Sequence, residues 1–352
     1  MKKILFIMPV LGLSGADRVI YTLLNNIDRG KFKPHLLLYK NDSKKNVLVK
    51  DLEKDVIVEY INVTGRARYA LPKILFGIKK TCKKHDIDSV FISSGTSNAT
   101  LSPFLSYFGC GIKKIARESN LPSLFEKNLI AKLLYKICYK NYDVIVAQSD
   151  DMVNDLVEKM NIPKSKLVKI NNPLDYKRIK TLSLKASDYE LPKERVNLLT
   201  IGRLTYQKGY DQLLNAFSRL EKDIYHLTIV GEGEDDAMLK KLHTDLGLED
   251  SVTFIASTEN PYALLRAADV FVSSSRWEGY PNVVIEAIAC GTPVLANAYP
   301  GGINEIINEG NGVICDINTE MEYALRKVLS IDNVSVDKSI IDDILIKYES
   351  IL

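Results

Sequence analysis

The sequence predicts an α/β protein of two doubly wound, Rossmann-like domains facing each other across a cleft. Three observations lead there. Short apolar runs of β type alternate with stretches of helical period, which is the pattern of βαβ units on a parallel sheet. The alternation lapses over one polar stretch, residues 176–194, and then restarts. The length of 352 residues suits about two domains. Residues 1–175 are therefore expected as the first domain, 176–194 as a linker, 195–335 as the second domain and 336–352 as a C-terminal helix. No strand follows that helix, so it is free to pack back on the first domain.

In the first domain, residues 3–9 form a strand. This run is too short for a secretory signal, and a glycine loop follows at once, so a cytoplasmic protein is expected. Gly12-Leu13-Ser14-Gly15 leads into a helix over 16–27, with Val19, Ile20, Leu23, Leu24 and Ile27 on one face. Strands are expected at 35–39 and 56–63, a helix at 71–84, a strand at 89–93 and a helix at 99–107. A short strand at 114–116 runs into Arg117-Glu118-Ser119-Asn120. A basic helix near 124–140, a strand at 143–147, a helix at 150–160 and a strand at 166–170 complete the domain.

The second domain opens with a strand at 196–201 and a helix at 210–220. A strand at 226–230 runs into Gly231-Glu232-Gly233, followed by a helix reaching about 246. A strand at 251–255, a short helix at 262–266 and a strand at 269–273 lead to an apolar helix over 283–290. Asn282 is placed to cap its start and Gly291 to stop it. Segments 301–308 and 312–315 and a helix at 319–329 close the domain, and the last helix covers 338–350.

Composition excludes several classes. With 46% hydrophobic and 26% charged residues the chain is an ordinary globular one. No segment approaches the roughly 18 apolar residues of a membrane-spanning helix. The five cysteines (Cys82, Cys110, Cys138, Cys290, Cys315) show no paired spacing and read as reduced core thiols. Net charge is only +3 but unevenly spread. Residues 1–175 hold 29 Lys and Arg against 17 Asp and Glu, a balance of +12, and the remainder carries −9. The basic pieces are Arg66 with Arg68, residues 73–84 and residues 127–140. In the last, Lys132, Lys136 and Lys140 recur every four residues among Leu, Ile and Tyr. This stripe is either a solvated helix face or a contact with an anionic membrane surface. No aromatic-basic motif accompanies it, so no nucleic-acid partner is expected.

Two constellations carry chemistry. Gly202-Arg203-Leu204, followed by Gln207-Lys208-Gly209, places two cations at a strand's carboxyl end beside a helix N-terminus. Both the helix dipole and its exposed N–H groups favour phosphate there. Arg can clamp a diphosphate bidentately and Lys adds a compact charge. The second constellation is Trp277-Glu278-Gly279-Tyr280-Pro281-Asn282-Val283, with Glu286 eight residues after Glu278. The helix carrying Glu286 is otherwise apolar and so buried, and a buried carboxylate needs a partner.

These residues, EGYPNVVIEAIACGTPVLAN followed by Pro300-Gly301-Gly302 and preceded by GRLTYQKG, resemble the retaining, nucleotide-sugar-dependent glycosyltransferases of family 4. The resemblance extends to SGADRV, RESN, AQSDDM and NNPLD in the first half. It implies the GT-B fold and a donor site in the second domain. By the resemblance, Glu278 hydrogen-bonds the donor sugar and Glu286 the ribose hydroxyls. Gly279, Tyr280, Pro281, Asn282 and Val283 line the sugar and diphosphate through their backbone, and Gly202, Gly231 and Glu232 border the donor. Arg203 and Lys208 neutralise the leaving diphosphate, and Gly15 approaches it from the first domain.

Many relatives place a histidine at the end of a first-domain strand. This chain has Arg117 and Glu118 there, which are expected to do an equivalent orienting job or else to form an ion pair. The resemblance further implies a UDP-sugar as donor, a hexose or N-acetylhexosamine as the group moved, and a lipid-linked saccharide as acceptor. It implies no metal or cofactor, and a place on the inner face of the cytoplasmic membrane. Two other classes compete: a GT-B-shaped sugar-nucleotide epimerase, and a two-domain binding protein without chemistry.

Overall fold

The computed structural model describes every residue except Arg66, and every side chain except those of Arg66, Arg68, Lys338 and Ile340. The basic pair Arg66 and Arg68 therefore lies outside the described side chains. The chain divides into two compact units, Met1–Pro173 with Lys338–Leu352, and Leu174–Asp337.

The first unit runs β1 (Lys2–Met8), α1 (Gly15–Asn26), β2 (Phe32–Leu38), β3 (Ile57–Tyr60), α2 (Leu71–His85), β4 (Ser89–Ile92) and α3 (Gly95–Leu101). It continues with β5 (Lys113–Arg117), α4 (Pro122–Phe125), α5 (Leu129–Cys138), β6 (Val144–Ala147), α6 (Asp150–Asn154) and β7 (Leu167–Lys169). The second unit runs α7 (Tyr176–Ser183), β8 (Val196–Ile201), α8 (Tyr210–Phe217), β9 (Tyr225–Val230), α9 (Asp236–Asp245), β10 (Val252–Ile255), α10 (Pro261–Ala267) and β11 (Val270–Ser273). It ends with α11 (Asn282–Cys290), β12 (Val294–Asn297), α12 (Ile303–Ile306), β13 (Gly312–Cys315) and α13 (Ile317–Val328). The last helix, α14 (Lys338–Ile351), returns to the first unit.

Each unit is one all-parallel sheet, in the orders β3-β2-β1-β4-β5-β6-β7 and β10-β9-β8-β11-β12-β13. The order reverses between β1 and β4 in one sheet and between β8 and β11 in the other. Those are the topological switch points, where loops at the strands' carboxyl ends part and leave a crevice. The central strands are apolar along their length because helices cover both faces. Thus Leu5 and Ile7 of β1 are as buried as Ile4 and Phe6. Helix α1 begins with a full capping box: Ser14 accepts from the Asp17 amide while the Asp17 carboxylate accepts from the Ser14 amide.

Helix α14 packs on the first sheet. Ile344, Tyr348, Ile351 and Leu352 share a core with Ile4, Phe6, Leu36 and Phe91, and Glu349 accepts from the Asp28 amide at 2.8 Å. Three expectations need correction. The stretch 176–194 is not a bare linker: α7 occupies its first half, capped by Asp175 and packed against α10 and α11. Only Ile179 and Ser183 of α7 are buried, too few apolar positions to show a period. The basic helix near 124–140 is two helices, because Asn128 interrupts it and caps α5 through the Ile130 and Ala131 amides. Helix α11 begins at Asn282 itself, with Pro281 in the cap position, so Asn282 is not the cap.

Candidate donor site

The site is built from the loops after β8 and β11, the pair of strands at the switch point of the second sheet. After β8 the chain makes a 3-10 turn, Tyr206–Lys208, and enters α8 through Gly209 in the left-handed conformation (φ 65°). A side chain on Gly209 would also collide with the Ser274 carbonyl after β11, so only glycine lets the two loops meet. The meeting is sewn by Ser274 Oγ donating to the Lys208 carbonyl at 2.8 Å, by Gln212 Nε2 donating to the Ser274 carbonyl at 2.5 Å, and by the Arg276 amide donating to the Gln207 carbonyl at 2.7 Å.

This brings Lys208 to Glu278, with Nζ 2.6 Å from Oε1. Ser275 Oγ donates to the same oxygen at 2.7 Å, and Gln207 Nε2 donates to Oε2 at 3.2 Å and to the Trp277 carbonyl at 2.9 Å. Glu278 is buried with its charge balanced, while Lys208 keeps about a fifth of its side chain exposed (21%). The ion pair thus holds an ammonium group at the mouth of a parallel sheet. Arg203 lies on the same loop, exposed, and makes no side-chain hydrogen bond or ion pair among the described residues.

A second pair supports this loop. Arg276 grips Asp211 of α8 bidentately at 2.8 and 2.7 Å and lies over the Tyr206 ring, 4.0 Å from its centroid. Burial alone would raise the Asp211 carboxyl, but the Arg276 guanidinium outweighs it and holds the group below its ordinary value. Sequence reasoning quoted Gln207 within its motif without giving it a role, and missed Ser275, Arg276 and Asp211. Ser275 and Arg276 immediately precede the recognised Trp277-Glu278 stretch.

Gly231-Glu232-Gly233 is more than a turn. A side chain on Gly231 (φ 151°) would run into the Gly202 carbonyl, and one on Gly233 into the Leu204 backbone. The loops after β8 and β9 are therefore in backbone contact, and the Leu204 amide donates to the exposed Glu232's carbonyl at 3.0 Å. Gly202 has its own constraint, because a Cβ there would lie 2.7 Å from Tyr210 Oη. Gly301 (φ 119°) backs onto the Glu278 carbonyl in the same way, and the Glu278 amide donates to the Pro300 carbonyl at 3.0 Å.

Gly279 and Tyr280 follow Glu278 into the start of α11. Asn282 and Val283 form its first turn, whose N–H groups point out of the helix end; Pro281 has none to offer. Burial pushes the Tyr280 phenol well up, with Glu305 adding to it. Glu286 is buried one turn into α11 (4% exposed). Burial and then the Glu286 carboxylate push the Cys290 thiol, one turn further along, up to about 12. Cys290 is an inert core thiol, like buried Cys82 and Cys315; Cys110 by contrast is exposed.

In the first unit, Gly15 is the exposed first residue of α1. Arg117 ends β5 and Glu118 follows it directly; both are 1% exposed, and they bond to different partners. Arg117 donates to Tyr348 Oη of α14 at 3.3 Å, Ser93 Oγ at 3.1 Å and Asn172 Oδ1 at 2.5 Å. Glu118 accepts from Asn98 at 3.1 Å, Tyr135 at 3.1 Å and Tyr139. Burial raises its carboxyl above the ordinary range, partly offset by those bonds. The two residues do not form the expected ion pair with each other, and both are buried. Arg117 ties down α14, and Glu118 anchors the inner face of α5.

Two parallel sheets of Rossmann strand order, one with a fixed ammonium at its switch point, are the architecture of the GT-B glycosyltransferases. Residues 184–338 match the family described as Glycosyl transferases group 1, and the chain is a glycosyltransferase. The chain is similar to the N-acetylgalactosamine-N,N'-diacetylbacillosaminyl-diphospho-undecaprenol 4-alpha-N-acetylgalactosaminyltransferase of Campylobacter jejuni, at 27% identity over 350 residues, covering 95% of this chain and 92% of the relative. It is similar at 27% over 345 residues to an uncharacterized glycosyltransferase of Haemophilus influenzae, covering 95% and 91%. Among solved structures it resembles Anabaena HepE in complex with UDP and glucose, with a TM-score of 0.75 at 18% identity over 99% of this chain and 100% of that one. Sucrose-phosphate synthase from Thermosynechococcus elongatus aligns with a TM-score of 0.78 at 16% identity, covering 100% and 96%.

Proposed function

We propose that this enzyme is a retaining transferase of family 4 type. It moves a hexose or N-acetylhexosamine from a UDP-sugar to a lipid-linked saccharide in bacterial surface polysaccharide or glycolipid assembly. The observation that carries the reading is the Lys208–Glu278 pair at the β8/β11 switch point, 2.6 Å apart. Two likenesses support the finer choices: the Campylobacter relative's name specifies a diphospho-undecaprenol acceptor, and the Anabaena neighbour was solved with UDP and glucose.

Breaking the anomeric bond builds positive charge on the sugar and negative charge on the departing diphosphate. In this reading Lys208 and Arg203 receive that negative charge, together with the first-turn N–H groups of α11, so no metal is required. Glu278 plays two parts, holding Lys208 in place and offering its remaining lone pairs to the donor sugar. Glu286 takes the ribose hydroxyls. Retention follows from attack on the face the diphosphate leaves, with a leaving phosphate oxygen taking the acceptor's proton. None of the carboxylates in this site then needs to act as a base.

A panel of nucleotide sugars tests the proposal, assayed first for nucleoside diphosphate release and then for transfer to lipid extracts. Acceptor-dependent UDP release with the α-linkage retained is expected. Conversion of a donor without any acceptor would indicate an epimerase, and binding without turnover a ligand-binding protein.

A further inference from the structure

We propose that α4 and α5 of the first unit form a membrane-docking element, lying in the plane of an anionic phospholipid surface with their apolar side in the acyl region. This deepens the reading of a lipid-linked acceptor, but it is tested by binding, so either can fail alone.

The burial pattern of α5 is inverted. The face turned into the protein carries Ala131 and Tyr135, followed by Tyr139, and both phenols are spent on Glu118. Its outward face carries Leu129, Ile130, Leu133 and Ile137, which are 80%, 70%, 55% and 54% exposed. In a helix whose outer face met only water these positions would be polar. Leu124 and Phe125 of α4 extend the exposed apolar surface, and clustered exposed apolar side chains of this kind mark an interaction site.

Charge identifies the partner. Between residues 122 and 141 the only acidic residue is Glu126, which is buried and bonded to Thr96 Oγ1 and the Asn128 amide. Lys127, Lys136 and Lys140 are exposed along the same stretch, while Lys132 turns back toward the Ser123 carbonyl, 3.4 Å away. Apolar residues bordered by lysines, with no exposed acid between residues 122 and 141, match an interfacial helix on anionic lipid. A nucleic-acid backbone would leave the four aliphatic side chains without a partner. The ten residues of α5 span only about 15 Å, enough to lie in the interface but not to cross it. Among the described residues no helix is long and apolar enough to cross a membrane. The neighbouring 3-10 segment Ser102–Phe108, packed against α5 and α2, continues the surface. It adds partly exposed Phe104 and Tyr107, the latter beneath Lys79 of α2 at 4.1 Å.

The test is co-sedimentation of the whole chain with phosphatidylcholine vesicles, with and without phosphatidylglycerol, at low and high salt. The wild type should pellet with the anionic vesicles, less at high salt. The triple change Ile130→Gln, Leu133→Gln, Ile137→Gln should abolish pelleting while leaving the urea unfolding midpoint unchanged. Lys136→Gln with Lys140→Gln should weaken partition by about fivefold per lysine removed. Leu133→Trp should add emission quenched by brominated lipid, beyond any quenching seen with the native Trp277. Equal binding to neutral and anionic vesicles would overturn the proposal. So would wild-type binding by the triple variant, an unquenched Leu133→Trp, or light scattering showing a dimer that the triple change dissolves.

Discussion

Replacing Lys208 by Met removes the ammonium that Glu278 holds at 2.6 Å while keeping most of its apolar stem. Two effects separate. Glu278, already buried, loses its charged partner and keeps only Ser275 and Gln207. A hydrogen bond to a charged group contributes about 1.5–3 kcal/mol. For a unit of this size each kcal/mol moves the melting temperature by about 2–4 °C, so a drop of several degrees is expected. Catalysis should suffer more. Removing one preorganised donor to a developing anion costs about 10²–10³ in turnover. Glu278→Gln leaves the loop neutral but frees Lys208 to wander, and should cost turnover too. If the pair acts as a unit, the double variant is scarcely worse than the poorer single one. The assay is nucleoside diphosphate release with the best donor from the panel. Near-normal turnover for Lys208→Met, or fully additive losses in the double variant, would refute the reasoning.

Three further outcomes follow from the packing. Gly301→Ala pushes a methyl into the Glu278 carbonyl at φ 119°; the shifted loop should lower donor turnover at least about hundredfold, read in the same release assay. Tyr348→Phe removes the α14 hydroxyl that Arg117 Nε reaches at 3.3 Å; it should cost about 1–2 kcal/mol in urea unfolding and leave turnover per folded molecule unchanged. His35 is buried with neither ring nitrogen hydrogen-bonded among the described residues. Burial, then His85 and Lys33, lower its pKa to about 4. The unfolded chain therefore takes up a proton that the fold refuses. The stability this residue confers is complete above pH 6.5 and falls by about 1.4 kcal/mol per pH unit toward pH 4. His35→Leu should flatten that slope in urea titrations at pH 7 and pH 5; an unchanged slope would exclude His35 as its source.

Much of the architecture was legible because local patterning dictates it. β1 and β8 are apolar runs ended by glycine loops, α1 declares itself through Ser14 and Asp17, and Gly291 ends α11 in the left-handed region (φ 90°). Helix α7 was not legible, because its two buried positions set no period. Arg117 and Glu118 show in the sequence as a charged pair at a strand end, which does not reveal that each bonds to a different helix.

The sequence by itself determined the two parallel sheets and singled out Arg203, Lys208, Glu278 and Glu286 as candidates. Periodicity, glycine placement and charge are local properties that survive reading in one dimension. Only the tertiary structure decided that Lys208 and Glu278 are ion-paired, since they lie seventy residues apart and meet through the adjacency of β8 and β11. It also decided which side of α5 faces outward. The helical pattern alone offers an apolar side and a lysine stripe, and burying Tyr135 and Tyr139 on Glu118 leaves the aliphatic side chains in the open.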